Sequence, residues 1–197
     1  AEQLCLKLLV EFEGLNGVCL EIIKPWAPIK FPLEGISVKI SRGWHKAYLS
    51  LGSNIGDNSQ YLDNAIKSIK DDNCNKNITE STRITTKAYG KEDQNDFLNS
   101  VVCFDTLYTP MELLDIIHKI EANNGRVRKE HWGERTLDMD ILFYDDIVLN
   151  NEDLIIPHID MTNREFVLKP MVEISPGFVH PIRNKTVYDL YHELTGN

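Results

Sequence analysis

Hydrophobic positions follow a helical period in two stretches of the chain. Apolar residues three or four positions apart predict one helix with a buried face at Leu62, Ala65, Ile66 and Ile69. A second helix is predicted to start at 109–112 (TPME), because threonine caps a helix, proline suits its first position and glutamate completes a capping box. We predict that Gly125 ends this helix.

Strands are predicted where apolar residues alternate or run on between turn signals. The predicted strands cover 47–51, 78–85, 97–104 and 137–144, and shorter helical stretches cover 163–174 and 187–194. In chain order after residue 46 the main elements therefore read strand, helix, strand, strand, helix, strand. This order is typical of a ferredoxin-like split βαβ sandwich, an α+β fold with an antiparallel sheet.

The N-terminal segment is too small to form a core of its own. Its pattern predicts a helix over 1–12, strands over 17–23 and 35–40, and a proline-stiffened turn between the strands. A helix and two strands cannot bury their own apolar faces, so we expect this segment to be the tail of a truncated or larger domain. The predicted domains are 1–43 and 46–197.

The amino-acid composition indicates a globular protein. Of the 197 residues, 42% are hydrophobic and 26% are charged, as in ordinary globular proteins. No apolar run approaches the roughly eighteen residues of a membrane span, and the first residues do not read as a signal peptide. The four cysteines are Cys5, Cys19, Cys74 and Cys103, and they form no CxxC pair. This spacing argues against a zinc site. It indicates free thiols, as in a cytoplasmic protein.

The charge balance is acidic, with a formal net charge of -9 from 21 basic and 30 acidic residues. Such a surface repels nucleic acids, so we expect no nucleic-acid partner. Since no apolar run is long enough for a membrane span, we also expect no membrane partner. A local basic cluster is then informative, and one exists at Arg126, Arg128, Lys129 and Arg135. These side chains either form a solvated face or meet a concentrated anion.

Two carboxylates follow this cluster on a predicted strand. Asp138 and Asp140 share one face of the strand, because alternate side chains point the same way. Burying such a pair without partners costs several kcal/mol or raises a pKa, and a divalent cation removes both problems. A solvated strand edge is the alternative for the pair by itself. The neighbouring arginines favour Mg²⁺ with a nucleoside triphosphate, because the metal and the arginines together neutralise phosphate charge.

These motifs resemble a known family. The segments 51–57 (LGSNIGD), 125–128 (GRVR) and 132–141 (WGERTLDMDI) strongly resemble the 6-hydroxymethyl-7,8-dihydropterin pyrophosphokinases of folate biosynthesis, and 156–158 (IPH) and 163–166 (NREF) fit the same family. The resemblance runs from about Lys46 to the C-terminus. It implies a ferredoxin-like fold and a transferase that moves the β,γ-diphosphate of ATP onto the hydroxymethyl oxygen of the pterin, leaving AMP.

The resemblance also implies residue roles. Asp138 and Asp140 would hold two Mg²⁺, and the catalytic residues would be Arg126, Lys129, Arg135 and Asp140. ATP would contact His118, Glu121, Arg126, Arg128, Trp132, Arg135, Ile141, His158 and Arg164. The pterin would stack between Phe97 and Phe166, within a set comprising Thr86, Tyr89, Gly90, Phe97, Asn99, Trp132 and Phe166. Without the resemblance, the two phenylalanines would be interpreted as core and His158 as structural.

The N-terminal segment resembles a second enzyme of the same pathway. Residues 21–29 (EIIKPWAPI) and 35–40 (GISVKI) look like the last third of dihydroneopterin aldolase, an oligomer of T-fold subunits. The resemblance implies an acid–base role for Lys24, whose alternative interpretation is a surface lysine at a strand end. It also implies a bifunctional protein and a homo-oligomer, with aldolase activity only in a complete protein.

Three hypotheses therefore stand: a pterin pyrophosphokinase, a bifunctional protein that retains part of an aldolase, and a non-catalytic subunit that keeps the fold for assembly. The paired carboxylates Asp138 and Asp140, together with Arg126 and Arg135, argue against the third. A binding scaffold has no use for two carboxylates side by side, because they destabilise it unless a cation is bound. ATP and 6-hydroxymethyl-7,8-dihydropterin are the expected small-molecule partners.

Overall fold

The computed structural model of this chain describes residues 1–25, 35–88, 94–126 and 134–196. It divides into two compact units, Ala1–His45 and Lys46–Asn197. Among the described helices, none is both long and apolar enough to span a membrane.

The first unit is a helix with a two-stranded antiparallel hairpin. Helix α1 spans Glu2–Glu11, strand β1 spans Gly17–Lys24 and strand β2 spans Ile36–Gly43. The strands pair from Gly17 opposite Gly43 to Lys24 opposite Ile36. The predicted helix and both predicted strands are confirmed. Within this unit Cys5 and Leu9 are buried, and most apolar side chains of the hairpin are exposed.

The remaining elements lie in the second unit, apart from His45 at the start of the first strand. In chain order they are β3 (His45–Ser53), α2 (Asn58–Lys70), β4 (Asn75–Glu80), β5 (Ile84–Thr86), β6 (Phe97–Thr106), α3 (Pro110–Asn123), β7 (Asp138–Tyr144), β8 (Leu149–Asn150), β9 (Ile155–Ile156), a 3₁₀ turn (Met161–Asn163), α4 (Glu165–Ile174) and α5 (Val187–Thr195).

The main sheet has the strand order β4-β6-β3-β7, with β5 pairing to β6 beside this path. Strand β7 is antiparallel to β3, and β4 and β5 are both antiparallel to β6. The first and third strands of the motif therefore lie at the centre, as in a split βαβ unit. The predicted ferredoxin-like α+β architecture is confirmed.

Each face of the sheet carries its own hydrophobic core. Leu49 and Leu51 of β3 pack with buried residues of α2 and α3, whereas Tyr48 of the same strand packs with α4 and α5. This alternation follows from the two-residue period of a strand. The helices thus cover both faces, and the polar site described below lies where the second face is not filled by apolar side chains.

The predicted strand over 78–85 is divided in the structure. Strand β4 ends at Glu80 and β5 begins at Ile84. Between them the Ser81 hydroxyl accepts the Val101 N–H at 3.0 Å, while the Ser81 N–H donates to the Val101 carbonyl at 2.9 Å. A side-chain oxygen has replaced a backbone acceptor, which interrupts the regular ladder.

The predicted start and end of α3 are confirmed. Thr109 Oγ1 accepts the Glu112 N–H at 3.4 Å, and the Glu112 carboxylate accepts the Thr109 N–H at 2.8 Å, completing the capping box. The helix ends at Asn123, and Gly125 follows with φ of 77°, a left-handed conformation that glycine adopts without strain.

The buried histidine His180 makes the stability of this unit depend on pH. Burial, reinforced by Arg183, lowers its pKa below the ordinary value of about 6.5. Its Nδ1 accepts the N–H groups of Ile182 and Arg183, an arrangement that requires the neutral ring. The folded state therefore binds fewer protons than the unfolded state, so this contribution is full above pH about 6.5 and is lost as pH falls.

We predict that His180→Asn reduces this pH dependence, because asparagine keeps an acceptor but cannot be protonated. Urea unfolding at pH 7.5 and pH 5.5 should show a smaller loss of unfolding free energy in the variant than in the wild type. At pH 7.5 the variant should lose about 0.5 to 3 kcal/mol through poorer packing. Equal pH slopes in the two proteins would contradict the assignment.

Candidate active site

Strand β7 carries the two carboxylates on the face that α4 and α5 only partly cover. In the pairing with β3, Asp138 lies opposite Gly52 and Asp140 lies opposite Ser50. Because the two opposing residues are among the smallest, the space beside the carboxylates is left open. Met139 and Ile141, between and after them, belong to the hydrophobic core on the other face.

Asp138 is held by two arginines. Arg135 Nη1 donates to Asp138 Oδ2, and Arg126 Nη1 lies 2.6 Å from Oδ1. Oδ1 is buried, and the Arg126 guanidinium is its close charged neighbour. Arg126 is paired in turn with Glu121, which is only 2% exposed and accepts the Met139 N–H at 2.9 Å.

Asp140 is more loosely surrounded. His158 Nε2 lies 3.8 Å and Arg164 Nη1 lies 3.7 Å from its Oδ2, both too far for a direct hydrogen bond. Desolvation raises the pKa of the Asp140 carboxyl, and the charge of Asp138 raises it further. A cation that binds to Asp140 therefore competes with a proton more than it would at an ordinary carboxylate.

Asp160 orients the side chains of His158 and Arg164 near Asp140. The Asp160 N–H donates to His158 Nδ1 at 3.2 Å, which leaves the ring hydrogen of a neutral His158 on Nε2, toward Asp140. Burial lowers the pKa of His158, so the neutral ring is favoured. The Asp160 carboxylate accepts Arg164 Nε at 3.0 Å. Asp160 was not among the predicted site residues, although its position between His158 and Arg164 was a usable signal.

The first cavity, called here the aromatic cavity, opens above Asp138 and Asp140. Its volume is about 230 Å³. Its lining combines aromatic rings, amides and charged groups: Ser50, Leu51, Gly52, Thr86, Lys87, Gln94, Phe97, Asn99, Ser100, Arg135, Asp138, Asp140, His158, Arg164 and Phe166. Phe97 and Phe166 are half-buried rather than core residues, and their exposed parts face this space.

The second cavity lies on the other side of Asp140, with a volume of about 710 Å³. Among the predicted ATP contacts, its lining includes His118, Glu121, Arg126, Ile141 and His158. Asp140 and His158 line both cavities. A group bound in one cavity can therefore meet a group bound in the other at the Asp140 carboxylate.

The carboxylate pair fits a hard divalent cation that keeps ligands of its own. The Asp138 carboxylate, which is ion-paired with Arg126 and Arg135, and the Asp140 carboxylate, to which no described residue donates a hydrogen bond, can supply oxygen ligands. Within the ranges that the structure describes, no cluster of three or more His, Cys, Asp or Glu side chains could hold a metal. A cation bound by the two carboxylates would complete its coordination with water or phosphate oxygens, which is how proteins usually bind Mg²⁺.

Asn54 links two parts of the cavity wall and was also missed. It is 1% exposed, and its Oδ1 accepts the Arg135 N–H at 2.8 Å. Its Nδ2 donates to Gln94 Oε1 at 3.3 Å and to the Asn95 carbonyl at 3.4 Å. The motif at 51–57 contains this residue, but nothing in a linear motif shows which distant segments its amide joins.

The structure brings most of the predicted site residues together, and their roles stay predictions. Thr86, Phe97, Asn99 and Phe166 line the aromatic cavity with Arg135, Asp138, Asp140, His158 and Arg164. Lys24 lies in the other unit, exposed at the end of β1. Five predicted residues fall outside the described part of the chain: Tyr89, Gly90, Arg128, Lys129 and Trp132.

Comparison with known proteins identifies the family. The model of the 7,8-dihydro-6-hydroxymethylpterin-pyrophosphokinase (HPPK) family matches residues 48–176. The chain belongs to the HPPK family. The resemblance read from the motifs is therefore confirmed for most of the second unit.

Relatives of the HPPK chain include single-function and bifunctional proteins. The 2-amino-4-hydroxy-6-hydroxymethyldihydropteridine pyrophosphokinase of Haemophilus influenzae is 44% identical over 135 residues, covering 68% of this chain and 84% of that protein. The bifunctional protein FolKE of Lactococcus lactis is 45% identical over 133 residues, covering 64% of this chain but only 36% of that protein.

Solved structures agree on the fold. The HPPK-DHPS of Plasmodium falciparum, wild type with SDX-DHP, superposes with a TM-score of 0.60 at 19% identity, covering 77% of this chain and 44% of that one. At this identity the likeness shows the HPPK-like fold alone. The chain spans less than half the length of that protein.

Glu121 offers a test of the buried network beneath the carboxylates. Glu121→Ala should lower the free energy of unfolding by about 3 to 5 kcal/mol, because Arg126 keeps its charge in a buried place after losing one partner. Glu121→Gln should cost less, since its amide oxygen can still accept the Met139 N–H. Urea unfolding monitored by circular dichroism measures both.

The matched control is Glu193→Ala, which breaks the exposed ion pair between Glu193 and Lys185. It should cost no more than about 1 kcal/mol. Similar losses for Glu121→Ala and Glu193→Ala would contradict the description of Glu121 as a buried anchor.

Proposed function

We propose that the Lys46–Asn197 unit transfers the diphosphate of ATP to 6-hydroxymethyl-7,8-dihydropterin, giving AMP and the pterin diphosphate in folate biosynthesis. The observation that carries this proposal is the junction of the two cavities at Asp140 and His158. The reaction is inferred from membership of the HPPK family. At this junction the diphosphate donor, ATP, and the diphosphate acceptor, the pterin, can meet beside the paired carboxylates.

ATP is assigned to the second cavity, with its phosphates directed toward Asp140. Arg126, Arg135 and Arg164 lie around the two carboxylates, and His158 presents its Nε2 hydrogen to the same place. Their positive charge and donors would bind phosphate oxygens and stabilise the charge that grows on the transferred group. Positioning and electrostatics supply most of the rate enhancement in such transfers.

The pterin is assigned to the aromatic cavity. Phe97 and Phe166 line it with half-buried rings that can stack on a planar heterocycle. The Asn99 amide donates from Nδ2 to Thr86 Oγ1 at 2.8 Å, which leaves Oδ1 and the second amide hydrogen for the ring edge. The hydroxymethyl group of a ring held in this way would point toward Asp138 and Asp140.

Asp138 and Asp140 are assigned as the magnesium-binding residues, with two ions proposed. When bound, these ions would neutralise phosphate charge and make the pterin hydroxyl more acidic. Asp140, whose carboxylate lacks a hydrogen-bond donor among the described residues, is placed to take the hydroxyl proton. His158 and Arg164, oriented by Asp160, would bind the phosphate group of the departing AMP.

The decisive assay incubates the chain with Mg²⁺, ATP and 6-hydroxymethyl-7,8-dihydropterin and separates the nucleotide products. We expect AMP, formed in proportion to the pterin diphosphate. Appearance of ADP instead, or AMP formation that does not require the pterin, would contradict diphosphate transfer. A non-catalytic subunit would bind a non-hydrolysable ATP analogue without forming product.

Asp140→Ala should lower kcat by on the order of a thousandfold or more, because it removes a metal ligand and the proton acceptor together. The control is Asp146→Ala, an exposed acid in the turn after the same strand, which should leave turnover within twofold. Circular dichroism should show that both variants keep the fold. Turnover that survives in Asp140→Ala would disprove the metal assignment.

For the Ala1–His45 unit we propose the C-terminal part of a dihydroneopterin aldolase fold, within a bifunctional homo-oligomer. The α1-β1-β2 arrangement and the largely exposed apolar faces of its hairpin support this, because a larger assembly would cover them. Lys24 is its proposed acid–base residue. Size-exclusion chromatography of the complete polypeptide tests the assembly.

A cytoplasmic location is proposed from the four free cysteines, all within the described residues.

A further inference from the structure

Gly52 is a buried glycine inside a strand whose backbone does not require glycine. It lies near the end of β3, opposite Asp138 of β7, and its φ is outside the left-handed region that favours glycine. Glycine in the interior of a strand weakens it, because the residue has no side chain to pack. The reason for glycine here must therefore come from the space around it.

That space is taken by Asn99. A Cβ atom at position 52 would lie 2.9 Å from Asn99 Oδ1 and 3.7 Å from Phe97 Cδ1. The first distance is shorter than real carbon–oxygen contacts allow, so either the amide or the strand would have to move. The distance to Phe97 is an ordinary van der Waals contact, so the residue that a side chain at 52 would disturb is Asn99, one of those assigned to the pterin.

Asn99 cannot move aside without losing a partner. It is 5% exposed, and its Nδ2 donates to Thr86 Oγ1 at 2.8 Å. Its Oδ1 has no hydrogen-bond partner among the residues that the structure describes, and the amide lines the aromatic cavity. Turning Oδ1 away from position 52 would rotate Nδ2 off Thr86 and misalign both groups that face the cavity.

We propose that Gly52 is a positioning residue for pterin recognition: its missing side chain lets the Asn99 amide lie flat against β3, at the depth where it reaches the ring edge. This inference rests on the proposed function, since the pterin is the ligand assigned to the cavity. Gly52 acts through Asn99 and touches no reacting atom. Its effect belongs to pterin binding, because Gly52 does not line the second cavity.

The test measures binding of 6-hydroxymethylpterin by isothermal titration for the wild type, Gly52→Ala, Asn99→Ala and the double variant. We expect each single variant to bind at least tenfold more weakly. The double variant should bind within twofold of Asn99→Ala, because the added methyl group has no amide left to displace. Binding of Mg²⁺ with a non-hydrolysable ATP analogue should stay within twofold in Gly52→Ala, and the KM for the pterin should rise while the KM for ATP does not.

Gly177→Ala is the control for the substitution itself, because Gly177 has an ordinary φ and no described atom lies within 4 Å of the place its methyl group would take. It should bind the pterin as the wild type does. Unchanged pterin affinity in Gly52→Ala would overturn the proposal. The proposal would also be overturned if the pterin affinity of the double variant fell by the product of the two factors measured for the single variants. Gly52 would then act independently of Asn99.

Stability separates this role from a general packing role. Relieved of the clash, the double variant should melt no lower than Asn99→Ala, because alanine suits a strand better than glycine. If Gly52→Ala does not fold, this comparison still decides: a double variant that also fails to fold overturns the proposal. A wild type that binds no pterin and forms no AMP refutes the proposed function, whereas failure of Gly52→Ala to differ from a binding-competent wild type refutes this inference alone.

Discussion

Asp138 and Asp140 lie on the same face of a strand and repel each other. Neighbouring charged side chains offset this repulsion more closely at Asp138 than at Asp140. Asp138 is held by Arg126 and Arg135, with Arg126 anchored on the buried Glu121. Asp140 has only the longer contacts to His158 and Arg164 among the described side chains. Desolvation and the charge of Asp138 raise its pKa, so the site is stabilised further when a cation arrives.

The fold supplies this arrangement through the edge position of β7. Strand β7 pairs with β3 along one edge. At its other edge the Leu142 carbonyl accepts the His158 N–H. This hydrogen bond brings the segment that carries His158 and Asp160 beside the two acids. Asp160 then orients His158 and Arg164 together. The two side chains that face Asp140 are thus positioned by backbone pairing and by Asp160.

Separation of the two cavities also follows from the sheet. The aromatic cavity is built on the side chains of β3 and β6 that point toward α4, whereas the second cavity lies between α3 and the segment around β8 and β9. Asp140 and His158 stand where the two meet. Ser50 and Gly52 of β3 lie opposite the acids and carry little or no side chain, which leaves the aromatic cavity open above Asp138 and Asp140.

Sequence by itself determined the features that depend on near neighbours along the chain. The capping box of α3, the buried stripe of α2, the shared face of Asp138 and Asp140 and the motifs of the HPPK family were all readable, because helical and strand periods are local. Tertiary structure alone decided which surfaces are covered. Phe97 and Phe166 match core residues in pattern yet border a cavity, Ser81 interrupts a predicted strand, and Gly52 meets Asn99 of another strand. Exposure and cross-strand contact depend on what packs above each face, and no period along the chain encodes that.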